Sequence, residues 1–195
     1  MCLTVIMGVK MKAMMIDKIS VVIIVKNGEA TLAETLRSLV SFKEVIVYDN
    51  GSTDNTLKIA RSFSNVVVYQ GVFKGFGPTK QLAVQCASSD WILSLDADEC
   101  VTPALLGYLS DWDVCQSPKV VGKILRHNYF MGERVKHGGW GRDHLVRLFN
   151  RKMHGFNENA VHETIQIDQR SVVVSIPYPI DHNSVQHVGQ FLEKG

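Results

Sequence analysis

Three carboxylates close the run Asp90-Trp91-Ile92-Leu93-Ser94-Leu95-Asp96-Ala97-Asp98-Glu99. Trp91 to Leu95 is short and mostly apolar, the pattern of a buried strand. Side chains at i and i+2 of an extended segment point the same way. Asp96 and Asp98 are therefore expected side by side, with Ala97 turned away between them. Two adjacent carboxylates repel unless a cation lies between them. Oxygen-only ligands suit a hard divalent ion, Mg²⁺ or Mn²⁺, which keeps positions open for phosphate or diphosphate oxygens. A lone Asp-x-Asp is more often a polar strand end whose acids cap the next helix. The apolar run before it, and its company elsewhere in the chain, shift the balance toward chemistry.

That company sits at the ends of other expected strands. Ile19-Ser-Val-Val-Ile-Ile-Val25 is almost wholly β-branched, as in a strand buried on both faces, and is followed by Asn27-Gly28-Glu29. A second strand over 44–48 ends in Asp49-Asn50-Gly51-Ser52-Thr53-Asp54. Asp49 could accept hydrogen bonds from a base or ribose, or the stretch could be an Asx-capped turn. A third strand covers 66–69 and a fourth 91–95. Helices are expected over 31–40, from a Thr53 or Asp54 cap to about 63, and over 78–87 with Pro78 at the first helical position. Strand and helix alternate with short loops, which predicts a largely parallel α/β sheet. Ligands of such sheets bind beyond the carboxyl ends of the strands, where all these polar clusters fall. Gly75-Phe76-Gly77-Pro78-Thr79-Lys80 lacks the Gly-Lys-Ser/Thr of a P-loop. Lys80 nevertheless falls in the first turn of a helix, where free N–H groups and a cation could both face a phosphate.

Composition bounds the rest. The chain has 195 residues, 46% hydrophobic and 21% charged, enough for one compact domain with a real core. A net charge of +2 gives no reason to expect nucleic acid as a partner. Cys2, Cys86, Cys100 and Cys115 share no Cys-x-x-Cys spacing and indicate neither a disulfide framework nor zinc. No apolar run reaches the roughly 18 residues of a membrane helix. Residues 1–17 hold five methionines and read as a flexible leader or the product of an upstream start codon, with an amphipathic membrane-touching segment as the alternative, leaving 18–195 as a single domain. Further on, strands are expected over 119–129, 145–149 and 171–180, the last bent at Pro177 and Pro179. Between the first two lies His137-Gly-Gly-Trp140-Gly-Arg142, either a mobile loop or a tight turn with Trp140 in the core. In the loop reading Trp140 stacks on a sugar and Arg142 meets a phosphate.

Taken together, Ser20 to Glu29, Val47 to Asp54, Gly75 to Gln81 and Leu95 to Glu99 resemble the family 2 glycosyltransferases of GT-A fold, from about Ile19 to His182. The nearest subgroup in resemblance is the bacterial lipopolysaccharide-core β-glucosyltransferases. The resemblance implies a Rossmann-like three-layer α/β/α sandwich with a mostly parallel mixed sheet. It divides the domain into a nucleotide-binding half (18–100) and an acceptor and catalytic half (101–195). It implies a hexose moved from a nucleotide-diphosphate sugar, UDP-glucose or similar, to a glycan or lipid-linked saccharide hydroxyl, with inversion. Asn27, Glu29, Asp49, Ser52, Lys80 and Asp96 are then nucleotide residues, and Asp98, Asp96 and His182 hold Mg²⁺ or Mn²⁺. Glu163 is the catalytic base in Val161-His162-Glu163-Thr164, although the family usually places an acid where His162 stands, so His162 is either the base itself or its orienter. Trp140 and Arg142 fall on a loop that closes over the donor. Relatives continue past the late histidine, so the resemblance leaves either a C-terminally shortened chain or a minimal enzyme. The resemblance places the enzyme in the cytoplasm and admits peripheral contact with the inner face of the membrane. A sugar-phosphate nucleotidyltransferase, or an inactive nucleotide-sugar-binding relative, stands as the alternative.

Overall fold

The structure is a computed structural model, and it describes residues 15–112, 117–136 and 143–185. Most of the expected leader, the Trp140 and Arg142 loop, and the last ten residues lie outside the described residues. Ordered pairing starts slightly before Lys18, where Ile16 bridges to Phe42.

Four strands form the parallel half of the sheet: β1 (Ile19–Val25), β2 (Val45–Asp49), β3 (Val66–Gln70) and β4 (Trp91–Asp96), in the order β3-β2-β1-β4. Every residue of β1 is buried, as its β-branched run requires for a strand with neighbours on both sides. The connections are α1 (Leu32–Arg37), α2 (Thr56–Arg61) and α3 (Phe76–Gln85). α1 and α2 pack Leu32, Leu36 and Ala60 on one face of the sheet against Val21, Ile23 and Val47. α3 packs Ala83 and Val84 on the other face against Val22, Ile24, Ile46 and Phe149. The result is the three-layer α/β/α arrangement that the sequence resemblance implied.

The second half is mixed. It comprises β5 (Glu99–Val101), α4 (Pro103–Ser110), β6 (Val120–Phe130), β7 (Glu133–Arg134), β8 (Asp143–Asn150) and β9 (Val172–Val185). α4 begins at a Thr102 cap that accepts from Leu105 N–H, with Pro103 at its first position. β8 is antiparallel to both β4 and β6, β9 is parallel to β6, and β5 is antiparallel to β9 at the sheet edge. The bend expected over 171–180 is a register shift inside one long strand. Ile124 faces Ile176 and Arg126 faces Ile180, so Pro177 and Pro179, which have no N–H to donate, fall in the slack.

The order of the sheet forces its shape. Only Ala97 and Asp98 separate β4 from β5, yet β8, β6 and β9 lie between them in the sheet. Four strand spacings in a flat sheet come to roughly 19 Å, and three residue steps reach at most about 11 Å. The sheet therefore curls, bringing its edge back to the carboxyl end of β4. β4 pairs with β8 only from Trp91 to Leu93, so the two strands part before Asp96.

Candidate functional site

A cleft of about 760 Å³ lies where the curl closes. Its walls come from the end of β1 (Lys26, Asn27, Gly28), the β4–β5 turn (Asp96, Ala97, Asp98), the start of α3 (Phe76, Lys80), β9 (His182) and the segment Val161, His162 and Glu163. These residues lie far apart in sequence, and the carboxyl ends of β1 and β4 meet here as expected for such sheets.

Asp96 and Asp98 do not stand side by side on an extended strand. β4 ends at Asp96 and the chain turns at Ala97 and Asp98, which sends the two carboxylates different ways. Asp96 is a hub: Oδ1 accepts from Lys80 Nζ at 2.8 Å, and Oδ2 from Arg147 Nη2 at 2.8 Å. Burial opposes its charge, but the Arg147 guanidinium and Lys80 ammonium outweigh that and hold its carboxyl far below the usual carboxylate range. Both of its oxygens are thus committed to cations from the protein. Asp98 faces His182 instead, Oδ2 to Nε2 at 3.4 Å.

Lys80 is 3% exposed although it lines the cleft. Its ammonium lies between Asp96 and Glu163, the latter at 2.6 Å. The idea that α3 also offers free N–H groups to a phosphate does not hold. Phe76 N–H donates to Ala160 C=O at 2.9 Å and Gly77 N–H to Asn159 C=O at 3.0 Å. The helix start is docked on the segment that leads to Glu163. His162, just before Glu163, has φ 58°, the left-handed region that non-glycine residues rarely adopt and that recurs at functional sites.

The expected nucleotide residues divide. Asn27, Lys80 and Asp96 line the cleft; Glu29, Asp49 and Ser52 do not. Asn27 Oδ1 accepts from Thr53 N–H, and Ser52 Oγ accepts from Asn27 N–H. Glu29 Oε2 accepts from Asn55 N–H and Nδ2. These bonds cross-brace the loops after β1 and β2. Asp49 is wholly buried and accepts from Gly51 and Ser52 N–H, so it shapes its own turn. Trp140 and Arg142 lie outside the described residues.

Reading the sequence missed Arg147 and Arg126, and it gave Glu99, the third acid of the run, no role. Glu99 is fully buried and accepts from Arg147 Nη2 at 2.5 Å and Arg126 Nη1 at 3.3 Å. Arg126 also binds Asp143. The available signal was Arg147 inside the apolar run Leu145-Val-Arg-Leu-Phe149. A charge in a strand buried on both faces demands a partner.

Whether the cleft fits a divalent cation can be judged from its donors. Among the described residues, no three His, Cys, Asp or Glu side chains converge to hold an ion unaided. Asp98 and His182 supply one oxygen and one nitrogen, both on the cleft wall. Asn128 Oδ1 contacts the other ring nitrogen of His182 at 2.6 Å, an outer contact of the kind that orients a ligating imidazole. Two protein ligands suit an ion that takes its remaining ligands from phosphate and water. The pair fits; Asp96 does not join it.

Residues 20–171 match the sequence profile of Glycosyl transferase family 2. The chain belongs to that family. This family 2 chain is 32% identical over 120 residues to the lipopolysaccharide core biosynthesis glycosyltransferase LpsC of Rhizobium meliloti, a match covering 58% of the chain and 44% of LpsC. Among solved structures it is similar to S. aureus TarS 1–349, with a TM-score of 0.60 and 19% identity over 90% of the chain and 62% of TarS. It is also similar to the mannosyltransferase PcManGT of Pyrobaculum calidifontis, solved with GDP-Man and Mn²⁺, with a TM-score of 0.53 and 17% identity over 73% of the chain and 48% of that protein. These two likenesses show the fold. The match spans less than half the length of LpsC.

Proposed function

We propose that the chain moves a hexose from a nucleoside-diphosphate sugar to a glycan hydroxyl, with inversion at the anomeric carbon. UDP-glucose is the first donor to test, and a lipopolysaccharide-core saccharide the first acceptor class. The observation that carries this reading is the convergence of Asp98, His182, Lys80 and Glu163 on one cleft at the carboxyl ends of the strands. The name of the Rhizobium relative supports the acceptor class. TarS has also been solved with UDP, which supports the donor class.

Each residue has a role that its chemistry allows. Glu163 takes the proton of the acceptor hydroxyl as that oxygen bonds to the anomeric carbon. The bond from this carbon to the diphosphate breaks on the opposite face, and its electron pair leaves with the diphosphate. A divalent cation, when bound, neutralises the charge that gathers there. Asp98 and His182 would hold that cation. Lys80 adds a positive charge beside the departing group, and Asp96 keeps Lys80 in place. Asn27 lines the nucleotide side. Glu29, Asp49 and Ser52 act on the nucleotide through the shape of their loops. His162 sets the backbone angle at which Glu163 enters the cleft.

The test is donor turnover with Mn²⁺ or Mg²⁺, with Asp98→Ala as the diagnostic variant. Loss of metal-dependent release of UDP, with the melting temperature retained, is the expected result. Full turnover in that variant would refute the metal assignment. Release of pyrophosphate from a nucleoside triphosphate would point to nucleotidyl transfer instead.

A further inference from the structure

We propose that Arg147, from β8, is a positioning residue that clamps the β4–β5 turn and thereby fixes Asp98 for its cation. This rests on the assignment of Asp98 and His182 above. Three carboxylates occur within the four residues Asp96 to Glu99. Left alone they repel one another, and no fixed arrangement of the turn is favoured.

Arg147 resolves the repulsion from beneath. Its Nη2 bonds Asp96 on one side of the turn at 2.8 Å and Glu99 on the other at 2.5 Å. Glu99 Oε2 then accepts from Asp96 N–H at 2.9 Å, which closes the turn upon itself. The outer side is held separately: Thr35 Oγ1 donates to Ala97 C=O and Asn183 N–H donates to Asp98 C=O. The backbone on both flanks of Asp98 is therefore pinned. Asp96 and Glu99 are each matched by a cation of the protein, whereas Asp98 faces the imidazole of His182 across the cleft wall. The parting of β4 from β8 after Leu93 makes room for the guanidinium to reach both acids. Planar guanidinium N–H groups can bridge two carboxylates, and a lysine ammonium on a flexible stem holds such a bridge less rigidly.

The experiment measures Mn²⁺ binding in the presence of UDP by calorimetry, alongside the Mn²⁺ concentration that gives half-maximal hydrolysis of UDP-glucose. Arg147→Lys is one variant. Arg147→Met combined with Glu99→Gln is the other, because removing the arginine alone leaves the fully buried Glu99 with only the longer Arg126 contact, at 3.3 Å, and threatens folding. Circular dichroism and the melting temperature check that each is folded. Both variants are expected to weaken Mn²⁺ binding about ten- to a hundredfold, the range for loss of an outer-shell partner. The turnover rate should largely return at saturating Mn²⁺, which a merely structural lesion would not allow. Unchanged or tighter Mn²⁺ binding in the folded double variant would overturn the clamp. Asp98→Ala separates the two claims. If it weakens Mn²⁺ binding while the Arg147 variants do not, the clamp fails and the cation site stands. If the unaltered protein binds no Mn²⁺ with UDP, the cation site fails and takes the clamp with it.

Discussion

Lys80 carries the reasoning at the scale of single residues, because one buried ammonium is shared by two carboxylates from distant parts of the chain. Removing the charge of one should leave the other paired. Glu163→Gln is therefore expected to keep the fold and UDP affinity while lowering turnover about 10²- to 10⁴-fold, the usual worth of general base catalysis. Steady-state rates beside UDP calorimetry would show it, and an unchanged rate would move the base to His162 or elsewhere. His154 gives a prediction of a different kind. Burial lowers its pKa from 6.5, outweighing the opposing contacts with Asn150 and Asp168. The unfolded chain then binds more protons at this site than the folded one. The stability it confers is fully present above pH 6.5 and is lost as pH falls through the lowered folded value. Melting curves from neutral to mildly acid pH should show that loss, and His154→Gln should reduce it. The carboxylates and Lys80 were visible in the sequence because their residue types and positions after strands announced them. Arg147 was not singled out and Glu99 was given no role, since their meaning depends on side-chain contacts from β8 to the end of β4 and to β5.

At the scale of elements, α3 and the segment before Glu163 behave as one unit. A Cβ at Gly77 would lie 2.2 Å from Asn157 C=O, and one at Gly75 would lie 2.6 Å from Ala160 Cα. The glycines of this stretch serve close backbone approach, where the sequence had suggested a phosphate loop. Gly77→Ala must push the 157–160 segment away and carry Glu163 with it. The expected outcome is a fall in kcat of about tenfold or more, as for other displacements of a positioned group, with UDP binding little changed. A normal kcat would show that the segment can shift without moving the base. β1 to β4 were legible because buried parallel strands are written as β-branched runs. α4 and β5 were not anticipated. The three residues of β5 carry too little pattern to announce a strand, and its partner β9 lies some way down the chain.

At the scale of the whole molecule, the curled sheet is the feature that local patterns could not convey. Periodicity reports whether a strand is buried, but not which strand lies beside it. The mixed half of the sheet and the splay of β4 from β8 both follow from pairings made over long separations. A chain ended at residue 171 would lack β9, and with it His182 and the partner of β5. Such a chain is expected to lose Mn²⁺-dependent UDP binding, read by calorimetry, even if the parallel half keeps its circular dichroism. Retained Mn²⁺ dependence would show that the turn holds its shape without the edge.

The two-residue hop from β4 to β5 also imposes an order of events during synthesis. The acidic turn leaves the ribosome early, but the strands that hold it, β8 with Arg147 and β9 with Asn183, emerge later. Until then three like charges sit in an unfinished corner of a nascent chain. Contacts this far apart in sequence form slowly, so maturation of the turn should trail collapse of the parallel half, and a cation arriving early would find only part of its seat.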